Sequence, residues 1–456
     1  MVGSVQNPHA ARRPDMAGRR LLASRPLRAR AAGALALLGA LASIAGCGGA
    51  LDARPAAHVT AAAPAAADGV SNACASAALS TLVSVLERVY HEGVLSERTA
   101  SAQHLIANSL PLRAAVEAGN RPAARAAART LLKTGHLTNV TIVRGNRTLV
   151  DMGGPALAPL HGTLEAADGT PIASYTASVW ADSGFLMEAG GITQGIVALR
   201  SAGGADNGRI AGSPPLPAGV DSSEGALTHA GVAYRYTSFP VLAYPSGSLR
   251  AYLLMPSRTL AKLCGASTED TAVNTLRHVA ELIYASELGR SAHIQVRRVQ
   301  RNRPLLEAVA HRDSEATRLA IDALLNQHIV RLRVNVEGRL LRDVGGPYVL
   351  APVSAPLRLG GHTIGRLTLS IQDDEGYLRL ARRLAGLDVL MYMNPAHPQL
   401  VKDSLGPMPG PALASVPASG SYRYAGRDYR VFTVNAQAFP SGPLVIRVLV
   451  PLPYPS

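Results

Sequence analysis

Leu149–Leu160 reads LVDMGGPALAPL, and Leu341–Val353 reads LRDVGGPYVLAPV, the same phrase with one residue added. Working outward, SVWADSGFL (Ser178–Leu186) matches SIQDDEGYL (Ser370–Leu378) at the same offset. AGVAYRY…AYPSGSL (Ala230–Leu249) then matches AGRDYRV…AFPSGPL (Ala425–Leu444) at nearly that offset. Three ordered matches at near-constant spacing mark an internal repeat, with modules over 74–266 and 267–456.

Each module carries one order of elements. In the second, Ser267-Thr268-Glu269-Asp270 is a helix-start signal, followed by about thirty helix-compatible residues up to the turn before Pro304. In the first, the run from Ala73 to Leu110 plays that part until Pro111. A short helix over Leu305–His311 follows, then a cap at Asp313-Ser314 and a helix to Gln327. Alternating strands come next, interrupted by a helix opening at Asp373-Asp374, and two long strands close the unit around Pro440-Ser441-Gly442. The predicted class is α+β: two tandem modules, each a long N-terminal helix packed on a mixed, mainly antiparallel sheet.

The segment before the repeat is of another kind. Seven Arg and one Asp lie in the first 46 residues, all ahead of the apolar run AAGALALLGALASIAG (Ala31–Gly46). Sixteen residues rise only about 24 Å as a helix, short of the roughly 30 Å hydrocarbon core, which fits a signal peptide over 1–46 better than a permanent span. Ile44-Ala45-Gly46-Cys47 resembles a bacterial lipobox, which implies lipidation of Cys47; the plain alternative is an ordinary signal with an incidental cysteine. Residues 47–73 then form an Ala/Pro tether. These features predict an exported, lipid-anchored protein on the outer face of the cell membrane or in the periplasm.

Composition narrows the function classes. The net charge of +14 falls to about +8 once the leader is removed, and it is spread as single arginines with little aromatic interleaving. That pattern argues against nucleic-acid binding and leaves a mildly basic surface suited to acidic ligands or anionic envelope polymers. With Cys47 carrying lipid, Cys74 and Cys264 remain, an even number in an oxidising compartment. A disulfide between them would clip the ends of the first module, worth about 4 kcal/mol. The alternative is two separate buried thiols.

The long first helix, the short Pro-led helical pair and the sheet holding a D-x-G-G-P turn resemble extracellular Cache sensor domains, which are PAS-like. A long helix in each module suggests two single-Cache units in tandem. The resemblance implies binding of a small polar metabolite (amino acid, carboxylate or amine) between the sheet and its covering helices. Since only LPYPS follows Pro451, output is expected through an unidentified membrane signalling or transport partner.

Candidate contacts follow from position. Asp151 and Asp343 of the D-x-G-G-P phrases read as parts of structural turns. Asp182 and Asp374 fall in the first turn of the helix after the central strand, where a carboxylate caps amide donors or takes a ligand's ammonium or hydroxyl. Trp180-Ala181 stands where the second copy has Gln372-Asp373, so any two pockets differ chemically. Phe185 and Tyr377 read as core or pocket wall. Tyr234, Tyr236 and Tyr429 lie on a long strand, with Tyr234 and Tyr236 on one face. Arg333, alternating with Arg331, would suit a carboxylate if buried. His136 and His328 fall at helix ends. No G-x-S-x-G, H-E-x-x-H, P-loop or paired-cysteine metal site occurs, so the sequence calls for no enzyme, metal or cofactor. Two function classes remain: a ligand-binding sensor, favoured by a pocket with convergent polar groups, or an envelope interaction protein, favoured by a sheet-to-helix gap filled with Leu and Val.

Overall fold

Two long helices start on serine caps, and each lays an apolar stripe on a sheet. The computed structural model describes residues 71–134, 137–201, 214–217, 219–220, 222–325, 328–346, 349–394, 398–405 and 416–454. The predicted leader, Cys47, nearly all of the tether, His136 and Pro347 lie outside the described residues. The first half comprises α1 (Asn72–Leu95), α2 (Glu97–Ala107), α3 (Leu110–Glu117), α4 (Arg121–Thr134), β1 (Asn139–Arg144), β2 (Arg147–Gly153), β3 (Ala156–Leu157), β4 (Leu160–Glu165), β5 (Pro171–Ser178), β6 (Trp180–Ala181), α5 (Asp182–Thr193), β7 (Ile196–Ser201), β8 (Glu224–His229), β9 (Val232–Tyr244), β10 (Gly247–Pro256) and α6 (Ser257–Leu263). The second comprises α7 (Thr268–Glu287), α8 (Arg290–Gln300), α9 (Arg303–Ala310), α10 (Ser314–Leu325), β11 (Arg331–Val336), β12 (Arg339–Gly345), β13 (Val349–Leu350), β14 (Val353–Leu359), β15 (His362–Ser370), β16 (Gln372–Asp373), α11 (Asp374–Ala385), β17 (Asp388–Met393), β18 (Gln399–Asp403), β19 (Gly420–Tyr424), β20 (Arg427–Phe439) and β21 (Gly442–Leu452).

The class is α+β, and each half holds two sheets where the strand alternation alone suggested one. A four-stranded small sheet runs β2-β1-β5-β4 in the first half and β12-β11-β15-β14 in the second. A central sheet runs β6-β3-β9-β10-β7 with β8 beside β9, and β16-β13-β20-β21-β17-β18 with β19 beside β20. The D-x-G-G-P phrase is where the chain crosses between them. Gly153 (φ 106°) and Gly345 (φ 137°) end β2 and β12, and a Cβ there would run into the backbone of Thr138–Asn139 or Val330–Arg331. Only glycine tolerates both the conformation and the approach, which is why the phrase recurs. Ser178 and Ser370 secure the crossing from the other side: Oγ of Ser178 donates to the Leu157 carbonyl at 2.5 Å, and Ser370 donates to that of Leu350.

The expected long N-terminal helix is broken in both halves. Ser96 ends α1 and caps α2, its Oγ accepting from Thr99 N at 3.2 Å, and Leu288-Gly289 separates α7 from α8. α1 and α7 serve the central sheets, while the shorter helices α2–α4 and α8–α10 cover the small ones.

Helix α1 buries Ala75, Ala78, Leu79, Leu82, Val85, Leu86 and Val89, the spacing of one helical face. This face meets α7 of the other half. α1 also packs on α11, and α7 packs on α5, a reciprocal arrangement with the character of a two-fold exchange. One continuous core therefore includes Leu82 and Leu253 from the first half together with Leu276, Val279 and Val448 from the second. Truncating a fully buried leucine such as Leu82 to alanine costs about 2–5 kcal/mol. Tyr90 and Tyr284 fix the sheets to their helices, each hydroxyl accepting a backbone N–H, from Leu242 at 2.9 Å and Gln437 at 2.8 Å. Cys74 at the start of α1 is disulfide-bonded to Cys264 just after α6 (Cα–Cα 5.6 Å). No helix of the described residues is long and apolar enough to cross a membrane.

Candidate functional site

Asp182 and Asp374 occupy the first residue of α5 and α11, and the fold gives them the same backbone setting. Asp182 Oδ1 accepts from Ser183 N at 2.6 Å, and Asp374 Oδ1 accepts from Glu375 N at 2.9 Å. Both residues are buried, at 6% and 7% exposure. Their second oxygens part company. Asp374 Oδ2 lies 3.6 Å from the ammonium of Lys402 on β18, which also donates to Glu375 Oε1 at 2.9 Å. The Glu375 hydrogen bond is the main reason the Lys402 pKa is raised, with Asp374 contributing. Asp182 Oδ2 is buried without a hydrogen-bond partner, and burial pushes its carboxyl above the ordinary range. An anionic oxygen left unpaired in such a place is costly, and a cation placed against it would relieve that cost.

The surroundings of the two carboxylates also differ. In the first half the Trp180 ring meets Phe185 edge-on at 6.3 Å and lies across Gly93, where any Cβ would strike the indole. Trp180 thereby packs on both the central and the small core. In the second half Asp373 is the helix cap, its Oδ1 accepting from Gly376 N at 2.6 Å.

The other sequence candidates lie in separate places. Tyr377 is completely buried between α11 and α7, edge-on to Tyr284 at 6.2 Å, with its hydroxyl 3.4 Å from the Ala280 carbonyl. Burial pushes that phenol far up. Its role here is packing, as is that of Phe185. Tyr234 and Tyr236 share the face of the central sheet turned away from α1, in a cluster with Val220, Tyr252 and Leu254. The Tyr236 hydroxyl is 2.9 Å from Ser222 Oγ. Tyr429 sits in the matching cluster with Leu390, Tyr392 and Val431, and burial raises its pKa. It also borders an open hollow of about 460 Å³, whose Glu269 is already paired with Arg430 (3.3 Å).

Arg333 is engaged within the chain. Its Nη2 lies 2.6 Å from Asp343 Oδ2, Arg331 Nε lies 2.8 Å from Oδ1, and the Arg333 guanidinium covers the Phe439 ring at 4.7 Å. Burial alone would push Asp343 up, but the hydrogen bonds from both arginines bring it below the usual carboxylate range. The D-x-G-G-P aspartate of the second half is thus the hub of a charge cluster joining the small sheet to the end of β20.

Among the described residues the Trp180–Asp182 pair, the outer-face tyrosines and the Arg331–Arg333–Asp343 cluster are distinct places, and no pocket there gathers them. The faces between sheets and helices are filled by residues such as Leu82, Phe239 and Leu253 in one half and Leu276, Leu378 and Ile446 in the other. Among the described residues no His, Cys, Asp and Glu group could hold a metal ion. Sequence reasoning missed Lys402. A signal was present, because Lys402 is one of three lysines in a chain whose other basic residues are arginines.

No protein-family model matches the chain, and no curated protein does. Among solved structures it is similar to the periplasmic domain of Vibrio cholerae LuxQ, at 12% identity over 37% of this chain and 97% of that one, with a TM-score of 0.24. It is also similar to an extracellular ligand binding receptor from Desulfohalobium retbaense, at 10% identity over 49% of this chain and 47% of that one, with a TM-score of 0.25. The ligand-binding domain of the Pseudomonas fluorescens chemoreceptor CtaA, solved in complex with L-isoleucine, is similar at 12% identity over 41% of this chain and 98% of that one, with a TM-score of 0.21. Identities and scores this low transfer neither function nor ligand.

Proposed function

We propose that this chain is an exported, lipid-anchored sensor that binds a small metabolite through its amino group at Asp182, and that passes the signal to a membrane partner. In this reading residues 1–46 are the signal peptide, Cys47 carries lipid, and the tether to residue 73 holds off two Cache-like modules, 74–266 and 267–456, derived by duplication. The observation that carries it is the contrast between the two helix-start carboxylates. Asp374 has the primary ammonium of Lys402 at 3.6 Å, shared with Glu375, whereas Asp182 keeps a buried oxygen with no cation. Lys402 stands in for a ligand amine, so the second module fills its own site and the first leaves it open. Trp180 beside Asp182 offers an apolar wall for the rest of the ligand.

Thermal unfolding of the full chain against amines, amino acids and amine-free carboxylates tests this. An amino compound at about a hundredfold excess over its dissociation constant adds about 2.7 kcal/mol, a shift of a few degrees. Asp182→Asn should abolish the shift, and Lys402→Met should open a second amine site at Asp374. A flat response of wild type and Lys402→Met to every amine rejects the proposal. That outcome favours the second reading, an envelope protein-interaction module without a small ligand, which the Leu- and Val-filled sheet-to-helix spaces support.

A further inference from the structure

At the far end of the second small sheet, an open cleft of about 530 Å³ lies between the end of α9 and the β11–β12 and β14–β15 turns. Five polar side chains border it, Arg312, Asn335, Glu337, Thr363 and Arg366, with Val309 and Ile364 as apolar wall. Arg312 and Glu337 form an ion pair at 2.5 Å, and both are left-handed, at φ 54° and 51°. The corresponding residues of the first half are Gly119 (φ 65°), following α3, and Gly145 (φ 59°), in the β1–β2 turn. Glycine takes this conformation freely, while arginine and glutamate are strained in it. The pair they form is exposed on both sides (62% and 70%), and such pairs return little stability. Folding energy does not account for the exchange, and strain of this kind collects at ligand sites.

Two further residues of the cleft have been exchanged as well. Asn335 and Arg366 face each other across β11 and β15, where the first half pairs Val143 with Ser174. Asn335 Oδ1 is buried without a hydrogen-bond partner, so it lacks a donor. Arg366 is exposed, and among the described residues its guanidinium makes no ion pair.

We propose that this cleft binds a sugar acid, with the carboxylate on Arg366 and Arg312 and ring hydroxyls donating to Asn335 Oδ1 and Glu337. With Arg312 paired to Glu337, the guanidinium of Arg366 leaves the cleft net positive, which selects an anion. The two acceptors select hydroxyl donors, and the aliphatic wall suits the C–H face of a ring. No aromatic ring lines the cleft among the described residues. Its volume is that of a small-ligand site, and its openness allows either a free sugar acid or one unit of an anionic polysaccharide. This site is separate from Asp182 and of opposite charge preference.

Titration calorimetry of the full chain with D-galacturonate, D-galactose and trigalacturonate tests it. Galacturonate should bind at one site, and galactose about tenfold more weakly or not at all. Arg366→Ala should weaken galacturonate about tenfold, and the double variant R312G/E337G should do the same. The double variant restores the glycines of the first half, so its fold is preserved, and an unchanged unfolding temperature verifies this. Asp182→Asn should leave galacturonate binding unaltered, which separates this site from the amine site. Tighter binding of trigalacturonate assigns a polymer, and equal binding assigns the free acid. The proposal is overturned if neither acid binds at millimolar concentration, if galactose binds as well as galacturonate, or if both variants retain wild-type affinity.

Discussion

Where the first half of the chain places Asn139 and Thr141, the second places Arg331 and Arg333. In the first half the Asn139 amide donates to Gly154 O at 3.1 Å and the Thr141 hydroxyl donates to Asp151 Oδ1 at 3.1 Å. In the second, the two arginines grip Asp343. The same exchange recurs at the helix-start carboxylates, where Lys402 serves Asp374 and Asp182 has no cation. One backbone frame therefore carries two electrostatic designs, the second closed by its own charges and the first held by neutral hydrogen bonds. The lesson is that a repeat fixes where a carboxylate sits, while its neighbours decide whether that carboxylate is structural or available.

The sharpest way to break this comparison is to remove the paired aspartates. Asp343→Ala strands two partly buried guanidinium groups, and should cost on the order of 3 kcal/mol in denaturant unfolding. Asp151→Ala loses one neutral-donor bond and should cost about 1 kcal/mol. Equal losses would mean that the two turns are electrostatically alike. A smaller effect, of opposite sign in the two halves, is expected at the helix starts. Asp182→Asn removes an unpaired buried charge and should stabilise the ligand-free protein by about 1 kcal/mol. Asp374→Asn removes the longer of the two carboxylate contacts of Lys402 and should destabilise by about 0.5 kcal/mol, since Glu375 still holds the partly solvated ammonium. Thermal unfolding of both variants reads the signs directly.

A pH-dependent effect concerns Glu287 on α7. Burial, followed by the Glu188 carboxylate on α5 of the other half, raises its pKa to about 7. Between its ordinary value and 7 the native state holds the proton more tightly than the unfolded chain. Stability should therefore fall as pH rises through that window. Glu287→Gln should flatten this slope in unfolding midpoints taken across it, and an unchanged slope would place Glu287 in solvent.

The α+β class was legible because the repeats, the Pro-led short helices and the strand alternation agree. The division into two sheets was not. Period-two alternation looks alike in either sheet, and the crossing strands β3, β6, β13 and β16 are two residues long, too short for any periodicity. The helix breaks were hidden because apolar spacing continues through Ser96 and Gly289. Asp182 stands out in the sequence by its helix-start position. Its difference from Asp374 depends on Lys402, brought over by β18 pairing with β17, a contact that local pattern does not encode. The charged cleft was hidden for a related reason: left-handed Arg312 and Glu337 have no sequence signature, since the usual marker of that conformation is glycine itself.

The reciprocal packing of α1 on α7, with each also reaching the opposite half's second-layer helix, has a consequence for how the two sites can differ. Two separate copies meeting through such a face would associate only as their concentration allows, and symmetry would give them identical residues. On one chain the partner is present at an effective concentration set by the linkage, so the pairing survives dilution. Each half can then change its chemistry without asking the same change of the other. The proposed amine-accepting carboxylate in one half and the proposed anion-accepting cleft in the other can therefore coexist on a shared core.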